Sequence, residues 1–196
     1  MYVMTDVPKD ILDKIDIEIN KTGLSPVNNE LAGNLKHEFL IQDARVIIHP
    51  FLIEMVKEHR KRYPEYFRRM HSLIDHKEVE LMLFKMWVNF QKKHEFNPMH
   101  IHDGLFSFVI WHKVPYKMED EAKVFPDMKE KDRRNGFFSF FFTHADGKIM
   151  QEPIPVDNSY EGKIALFPAN LNHCVYPFYT SDDYRVSISG NLGFKL

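Results

Sequence analysis

Two histidines stand two residues apart in the segment NPMHIHDG, residues 97–104. In an extended chain, residues i and i+2 point to the same side, so His100 and His102 can face one cavity while Asp103 points away. Neutral imidazole is a good ligand for Fe, Zn, Cu and Ni. An isolated His-x-His pair is nevertheless more often a pair of polar loop residues, so the pair needs support from elsewhere in the chain.

A third histidine gives that support. The segment LFPANLNHCVYP, residues 166–177, places His173 at the start of a strand that follows an Asn-rich turn. A barrel can bring two such strand starts together at its open end. The chain has 11 histidines, and the other eight lack this setting. We therefore predict a metal site formed by His100, His102 and His173.

An arginine follows on the next strand. Arg185 and Ser187 share one face of the segment YRVSISGNL, whose other face is apolar. An inward arginine is costly unless an anion meets it, and its planar fork suits a carboxylate. The carboxylate of a ligand is one candidate for that anion, and an Asp or Glu of the chain itself is the other.

The elements that position these residues change character near residue 78. Before it, helices are predicted over KDILDKIDIEI (a strand remains possible there), over NNELAGNLKHEF with a break at Gly33, and over residues 49–71. The last of these has Pro50 in its first turn and is ended or kinked at Pro64.

After residue 78, apolar residues alternate with a period of two, which predicts strands. VELMLFKMWVNFQ has one core face that includes Met82 and Phe84, and LFSFVIWHKV is apolar on both faces, as in a central strand. A hairpin with an Asp-Gly turn and three more short strands follow. Residues 117–134 are charged and aperiodic, which predicts a mobile loop or lid. The pattern predicts an α+β, mainly β domain, a sandwich or barrel with helices packed outside.

Composition excludes several classes of protein. The chain has 196 residues, 44% hydrophobic, which suits one domain with a sizeable core. A net charge of -2 gives no support for nucleic-acid binding, and a single cysteine suits a reducing compartment. We find no membrane-spanning stretch or signal peptide, so the expected location is the cytoplasm.

The chain resembles the Fe(II)- and 2-oxoglutarate-dependent dioxygenases, most closely a branch of short oxygenases of which several are phage-encoded. The resemblance covers about residues 80 to 192, and more weakly the NNELAG segment. It is carried by Trp87-Val88-Asn89, Asn97-Pro98-x-His100-x-His102, Ser107, Phe167-Pro168, His173, Pro177 and Arg185-x-Ser187-x-Ser189.

The resemblance implies a double-stranded β-helix (jelly roll, cupin-like) over residues 79–196, supported by mostly helical residues 1–78 in a single domain, 1–196. It implies Fe(II) on His100, His102 and His173, and 2-oxoglutarate held by Arg185 and Ser187. The implied reaction hydroxylates a small molecule or peptide with O₂ and converts 2-oxoglutarate to succinate. In a phage, the location would be the host cytoplasm.

The sequence departs from the wider family at one ligand. Most members have Asp or Glu where this chain has His102, so Asp103 remains an alternative ligand if a bulge at Gly104 turns it inward. Two other functions also remain open: a cupin-like three-histidine metalloenzyme that does not use 2-oxoglutarate, and a non-catalytic β-sandwich interaction module. The substrate and the oligomeric state are not encoded in any pattern that we find.

Overall fold

The computed structural model of the chain describes residues 1–66 and 80–194. Two helices of more than two turns lie in these ranges, α1 (Lys9–Ile19) and α2 (Ala44–Arg62). The strands in chain order are β1 (Val3–Asp6), β2 (His37–Leu40), β3 (Leu81–Gln91), β4 (Asn97–His100), β5 (Phe106–Lys113), β6 (Phe138–Thr143), β7 (Ile149–Ile154), β8 (Lys163–Pro168), β9 (Asn172–Val175) and β10 (Arg185–Phe194).

Two antiparallel sheets face each other in a double-stranded β-helix. The major sheet has the order β1-β8-β5-β10-β3-β2, and the minor sheet has the order β4-β9-β6-β7. Strand β5 lies between β8 and β10, and its residues Phe106–Trp111 are all buried, which confirms the predicted central strand. The predicted hairpin is β6–β7, which turns at Gly147 with a positive φ of 84°.

Two apolar clusters hold the layers together. One packs α1 and α2 against the outer face of the major sheet, with Ile15, Ile48 and Leu52 fully buried. The other fills the space between the sheets and is rich in aromatic residues such as Phe138 and Phe167. The predicted architecture, a mainly β fold with helices on the outside, is confirmed. No helix in the described ranges has the length and apolar character needed to cross a membrane.

Helix α1 is joined to α2 by one buried carboxylate. Glu18 is 4% exposed, and its oxygens accept hydrogen bonds from the backbone N–H groups of Gln42, Asp43 and Ala44 at 2.6–2.8 Å. These N–H groups lie at the N-terminus of α2, where unpaired donors and the helix dipole favour an anion. The carboxylate therefore fixes how the two helices meet.

The second helix begins earlier than predicted. It starts at Ala44, so Pro50 lies inside the helix and not in its first turn. The N–H that Pro50 lacks would have paired with the carbonyl of Val46, a residue that is 78% exposed, and water can satisfy that carbonyl. The helix ends at Arg62, just before Pro64, as predicted. Residues 67–71 of the predicted helix, and the change of period near residue 78, fall outside the described ranges.

The helix predicted over NNELAGNLKHEF is wrong. Residues 28–34 form turns, and the segment then becomes strand β2, which pairs with β3. The segment is too short to distinguish the hydrophobic period of a helix from that of a strand. Its strand conformation depends on hydrogen bonds to β3, which lies more than 40 residues later in the chain and is not visible in the local sequence. The misassignment matters because β2 carries Glu38.

A bulge alters the predicted faces of β3. Opposite β3, Asn191 pairs with Lys85 and Leu192 with Leu83, so Phe84 is an extra residue. An extra residue reverses the alternation on one side of it. Leu83 therefore lies in the outer core at 3% exposure, while Met82, predicted to be buried, is 40% exposed.

The predicted lid contains two short helical turns, Met118–Glu121 and Glu130–Asp132. Glu121 is fully buried and accepts hydrogen bonds from the backbone N–H of Tyr179 and from the N–H and hydroxyl of Thr180. These contacts anchor the start of the segment, whereas residues 127–132 are exposed. Mobility of the exposed part stays a prediction.

Candidate metal centre

Three histidines meet where the minor sheet opens. His100 ends β4 and lies directly opposite His173 of β9 in the antiparallel register. His102 follows two residues later, where its N–H donates to the carbonyl of Ala169 at 2.8 Å. Each ring offers one nitrogen, and these nitrogens all lie within 4.8 Å of one another. The structure thus brings together the three residues that the sequence singled out.

Backbone carbonyls orient two of the rings. The Nδ1–H of His100 donates to the carbonyl of Pro98 at 2.7 Å, and that of His173 donates to Leu171 at 2.9 Å. With the proton assigned to Nδ1 by these bonds, Nε2 of each ring carries a free lone pair. The Nε2 of His102 lies 3.1 Å from that of His173. This is the arrangement in which metal-binding imidazoles are held by their other nitrogen.

Burial keeps the three rings neutral. It lowers the pKa of His100, and it lowers the pKa of His173 well below its usual value. For His102, burial first, and then the neighbouring charges of His100 and Lys85, lower the pKa to about 3. Neutral imidazole is the form that binds metal, so at pH 7 no proton has to be removed first.

Aromatic rings wall the cavity beside the histidines. Trp87 lies 5.5 Å from His102, Phe138 stacks 5.5 Å from His173, and Phe167 lies 4.9 Å from His173, between ring centroids. The cavity has a volume of about 40 Å³ and is also lined by Asn89, Gln91, Ser187 and Ser189. The cavity therefore has apolar walls around the histidine nitrogens, and polar side chains of the major sheet face those nitrogens across it.

Asp103 is exposed and lies outside the histidine group. It lines a second cavity that also contains His100 and His102. Gly104 takes a φ of +95°, and a Cβ there would lie 2.6 Å from the carbonyl oxygen of Leu192. The chain therefore makes its sharp turn at Gly104, after the second histidine. A metal would meet three nitrogens in this arrangement, with the carboxylate of Asp103 outside the group.

Arg185 is buried behind this cavity, and protein oxygens take all five of its N–H donors. Gln91 Oε1 accepts from Nε and Nη2 at 3.1 and 2.6 Å. The Tyr116 hydroxyl and the Gly136 carbonyl accept from Nη1 at 2.6 and 3.0 Å, and the Tyr176 carbonyl accepts from Nη2 at 3.0 Å. All these acceptors are uncharged, and no carboxylate of the described residues forms an ion pair with the guanidinium.

Polar side chains connect the arginine to the histidines. Gln91 lines the histidine cavity while it bonds to Arg185, and Asn89 donates to the Ser187 hydroxyl at 3.2 Å. Because Ser187 accepts that bond, its own proton is free to be donated. Ser107, part of the sequence pattern, is instead used internally, since it donates to Gly190 and Asn191.

Sequence reasoning missed three groups at this site. Gln91 was not singled out, although its position two residues after Asn89 was an available signal. Tyr116 and Glu38 had no such signal, because one lies in a loop and the other in the segment assigned to a helix. His112, one of the eight histidines without a predicted role, contacts Asp16 at 3.1 Å.

The site fits iron by its donor chemistry. Imidazole nitrogens suit Fe(II), although the commonest non-haem iron site has two histidines and one carboxylate. Three neutral ligands would leave the ion with its full charge. The apolar walls and the oriented Nε2 atoms otherwise match a built metal site.

Comparison with known proteins gives the family. Residues 85–191, more than half of the chain, match the family model described as "Putative 2OG-Fe(II) oxygenase". No curated protein matches the chain.

Two solved structures share the fold. A prolyl-4-hydroxylase of Pseudomonas putida is 13% identical with a TM-score of 0.56, over 100% of this chain and 93% of that one. A 2OG-Fe(II) oxygenase family oxidoreductase of Burkholderia pseudomallei is 15% identical with a TM-score of 0.56, over 98% of this chain and 84% of that one. With the family match, the histidine site and the double-stranded β-helix, the chain belongs to the 2OG-Fe(II) oxygenases.

Proposed function

We propose that the protein is an Fe(II)- and 2-oxoglutarate-dependent dioxygenase that hydroxylates a small molecule or a peptide. His100, His102 and His173 hold the metal, and Arg185 and Ser187 bind the far carboxylate of 2-oxoglutarate. Bound Fe(II) and 2-oxoglutarate supply the oxidising chemistry, with O₂ as oxidant and succinate and CO₂ as products. The convergence of three neutral imidazoles, two of them oriented by backbone carbonyls, carries this proposal.

The charge of Arg185 supports a dicarboxylic co-substrate. A guanidinium that is 3% exposed and has only neutral partners is a buried cation without a counter-charge. Gln91 Oε1 occupies the Nε–Nη2 fork, the pair of donors that a carboxylate takes in a bidentate contact. A carboxylate would replace the amide there and neutralise the cation, while Ser187 offers its free proton.

The small volume beside the histidines means that side chains must move when the co-substrate binds. A cavity of about 40 Å³ holds only a few water molecules, far less than a five-carbon diacid. Gln91 separates the cavity from Arg185, so rotation of its side chain would both enlarge the cavity and free the fork. We assign Gln91 the role of a gate between the metal end and the carboxylate end.

The N-terminal segment supports the site. Helix α2 packs against the major sheet, and β1 and β2 extend that sheet at its two edges. We propose that residues 1–196 act as one domain, in which residues 1–78 support the jelly roll of residues 79–196.

Anaerobic titration tests the proposal. We expect Fe(II) to bind with one-to-one stoichiometry, and a visible charge-transfer band to develop only when both Fe(II) and 2-oxoglutarate are present. Succinate, which lacks the keto group, is the matched control and should give no band. A metal signal that is indifferent to 2-oxoglutarate would instead favour a cupin-like enzyme, and absence of Fe(II) binding would exclude both.

A further inference from the structure

Glu38 lies on the barrel side of β2, beside the histidine site. In the register of β2 with β3 it is directly opposite Asn89, which lines the histidine cavity. Directly opposed residues point to the same face of a sheet, so Glu38 faces the interior of the barrel. It is 1% exposed, and it lines the second cavity together with His100 and His102.

Both carboxylate oxygens of Glu38 are buried without a hydrogen-bond partner. Two other buried glutamates show what a partnered carboxylate looks like in this chain. Glu18 accepts three backbone N–H bonds, and Glu121 is bonded by Tyr179 and Thr180. A buried carboxylate with unused oxygens is costly. Because Glu38 cannot be explained by contacts within the protein, it points to a ligand.

The charge around the second cavity shows what kind of ligand. The cavity has a volume of about 160 Å³, and its lining includes the carboxylates of Glu30, Glu38 and Asp103. Lys85, the one lysine among the described residues that line it, is already paired with Glu30 at 2.8 Å. The cavity is therefore acidic, and it favours a cationic group.

A flat ring completes the cavity. Trp87 lines both the second cavity and the histidine cavity, and its ring centroid lies 5.5 Å from that of His102. An indole face attracts cations, and guanidinium in particular stacks on it. A cation in this cavity would therefore meet an aromatic surface on the side that faces the histidines.

We propose that Glu38 binds a guanidinium group of the substrate, which is an arginine side chain of a peptide or a guanidino compound. This inference rests on the proposed function. Two free oxygens match the two parallel N–H donors of guanidinium, whereas a compact ammonium has no such paired geometry. Glu38 is then a substrate-binding residue, and it places the neighbouring carbons of the substrate beside the histidine site.

The turns of residues 28–34 control access to Glu38. The hydrogen bonds that hold them include two from side chains, Lys85 to Glu30 and Asn97 Nδ2 to the carbonyl of Ala32 at 2.8 Å, and two from the backbone, Glu30 N–H to Val27 and Asn34 N–H to Phe96. An exposed ion pair contributes little to stability. Displacement of this wall is therefore the route by which a guanidinium reaches the carboxylate.

Binding of small probes to the full chain tests the proposal. L-Argininamide is compared with L-citrullinamide, which has the same shape but no charge, and with L-lysinamide. Titrations by calorimetry are run on the metal-free protein and on protein loaded with Zn(II). Glu38→Gln is compared with Glu30→Gln, a matched change of an exposed carboxylate on the same cavity.

We expect L-argininamide to bind and L-citrullinamide not to bind. Glu38→Gln should weaken binding by roughly 10- to 150-fold, the range for a charge-assisted contact, whereas Glu30→Gln should change it by less than about 5-fold. Glu38→Asp retracts the carboxylate but keeps its charge, so it should weaken binding to an intermediate degree. That variant serves if Glu38→Gln does not fold.

Four results would overturn the proposal: no binding of L-argininamide, equal binding of L-citrullinamide, equal binding of L-lysinamide, or unchanged affinity in Glu38→Gln. Loss of Zn(II) in Glu38→Gln would also overturn it, by placing Glu38 in the metal site. Glu38-dependent binding in a protein without the 2-oxoglutarate band would support the guanidinium site and reject the proposed oxygenase. The two failures are therefore distinguishable.

Discussion

The histidine end and the arginine end of the barrel solve the problem of buried polar groups in opposite ways. At the histidine end, Nε2 atoms face one another with no hydrogen-bond donor from the backbone, and Glu38 nearby has two unused oxygens. At the arginine end, every N–H of Arg185 has a partner. The first end has unused binding capacity, whereas the second is complete in hydrogen bonds and lacks only a negative charge.

The two ends therefore differ in what ligand binding requires. At the histidine end the polar groups have unused bonding capacity, whereas at the arginine end an internal hydrogen-bond partner must be replaced by the ligand. A metal bound by the three rings replaces a single internal contact, that between the Nε2 atoms of His102 and His173 at 3.1 Å, so most of the free-energy cost of burying the rings is already present in the folded state. A satisfied guanidinium can bind a carboxylate only when an internal acceptor leaves. We therefore expect the metal to bind to a preformed site and the co-substrate to bind with local rearrangement.

Removal of a histidine should have the largest effect. Loss of an outer contact to a ligand already costs 10- to 100-fold in metal affinity, so His100→Ala, His102→Ala or His173→Ala should cost more than about 100-fold. Asp103→Ala should leave Fe(II) binding nearly unchanged, because its side chain is outside the group. Fe(II) content and thermal melting on the same preparations check this. Loss of iron in Asp103→Ala, with iron kept in His102→Ala, would assign the carboxylate as the ligand.

Gln91→Glu should block the arginine end. The new carboxylate would occupy the fork of Arg185 and neutralise it, as the co-substrate is proposed to do. We expect 2-oxoglutarate affinity to fall roughly 10- to 150-fold while Fe(II) affinity is unchanged.

Gln151→Glu is the matched control, because Gln151 bonds to Ser139 and Tyr176 and does not line the histidine cavity. The affinity of each variant for 2-oxoglutarate is measured by titration calorimetry. Undiminished affinity in Gln91→Glu would show that the co-substrate does not use Arg185.

The unused oxygens of Glu38 should make stability depend on pH. Burial, with a smaller contribution from Glu95, raises the pKa of Glu38 from 4.5 to about 7. Because the folded state holds the proton more tightly, stability should fall as pH rises from about 4.5 to about 7 and then level off. Glu38→Gln should remove this fall and add about 2 kcal/mol above pH 7, allowing for relaxation of the site.

Glu18→Gln should do the reverse. Its carboxylate has three N–H partners, so replacing it by a neutral amide should lower the free energy of unfolding. Urea unfolding at several pH values separates the two variants. An equal response of both would mean that hydrogen-bond partners do not distinguish them.

Arg185 should also restrain the predicted lid, which is the smallest effect. It bonds to Tyr116 and Gly136, which flank residues 117–134 on either side. Arg185→Lys should speed proteolysis within that segment several-fold relative to residues 80–116, and substrate should slow it. Limited proteolysis followed by mass spectrometry gives both rates. Equal resistance of the two segments would count against a lid.

The site was more predictable than its surroundings. His100, His102 and His173 are recognisable as candidate ligands because ligand chemistry restricts residue type, and strand alternation restricts where the side chains point. Leu83 and Met82 were misplaced because one bulge reverses that alternation, and a bulge leaves no periodic signal. Glu38 could not be found because the strand that carries it is too short to show a period.

The hydrogen-bond partners of Arg185 could not be predicted from the sequence, for a different reason. The sequence indicated that a buried arginine needs an anion or an acid of the chain. It gave no sign that Gln91, Tyr116 and two backbone carbonyls satisfy the donors without a charge. Such contacts join residues that are 9 to 94 positions apart, and they depend on the closed barrel.

The pairing of β1 with β8 has a consequence for how the protein folds. Val3 lies opposite Leu166, so the first strand of the chain has no partner until most of the sequence has been synthesised. Contacts of such long sequence separation slow folding, because the entropy of closing a large loop is lost before the contact forms. Until β1 pairs with it, the outer edge of β8 is open to other chains. Deletion of residues 1–6 should therefore promote aggregation during expression more than it reduces metal binding in the molecules that fold.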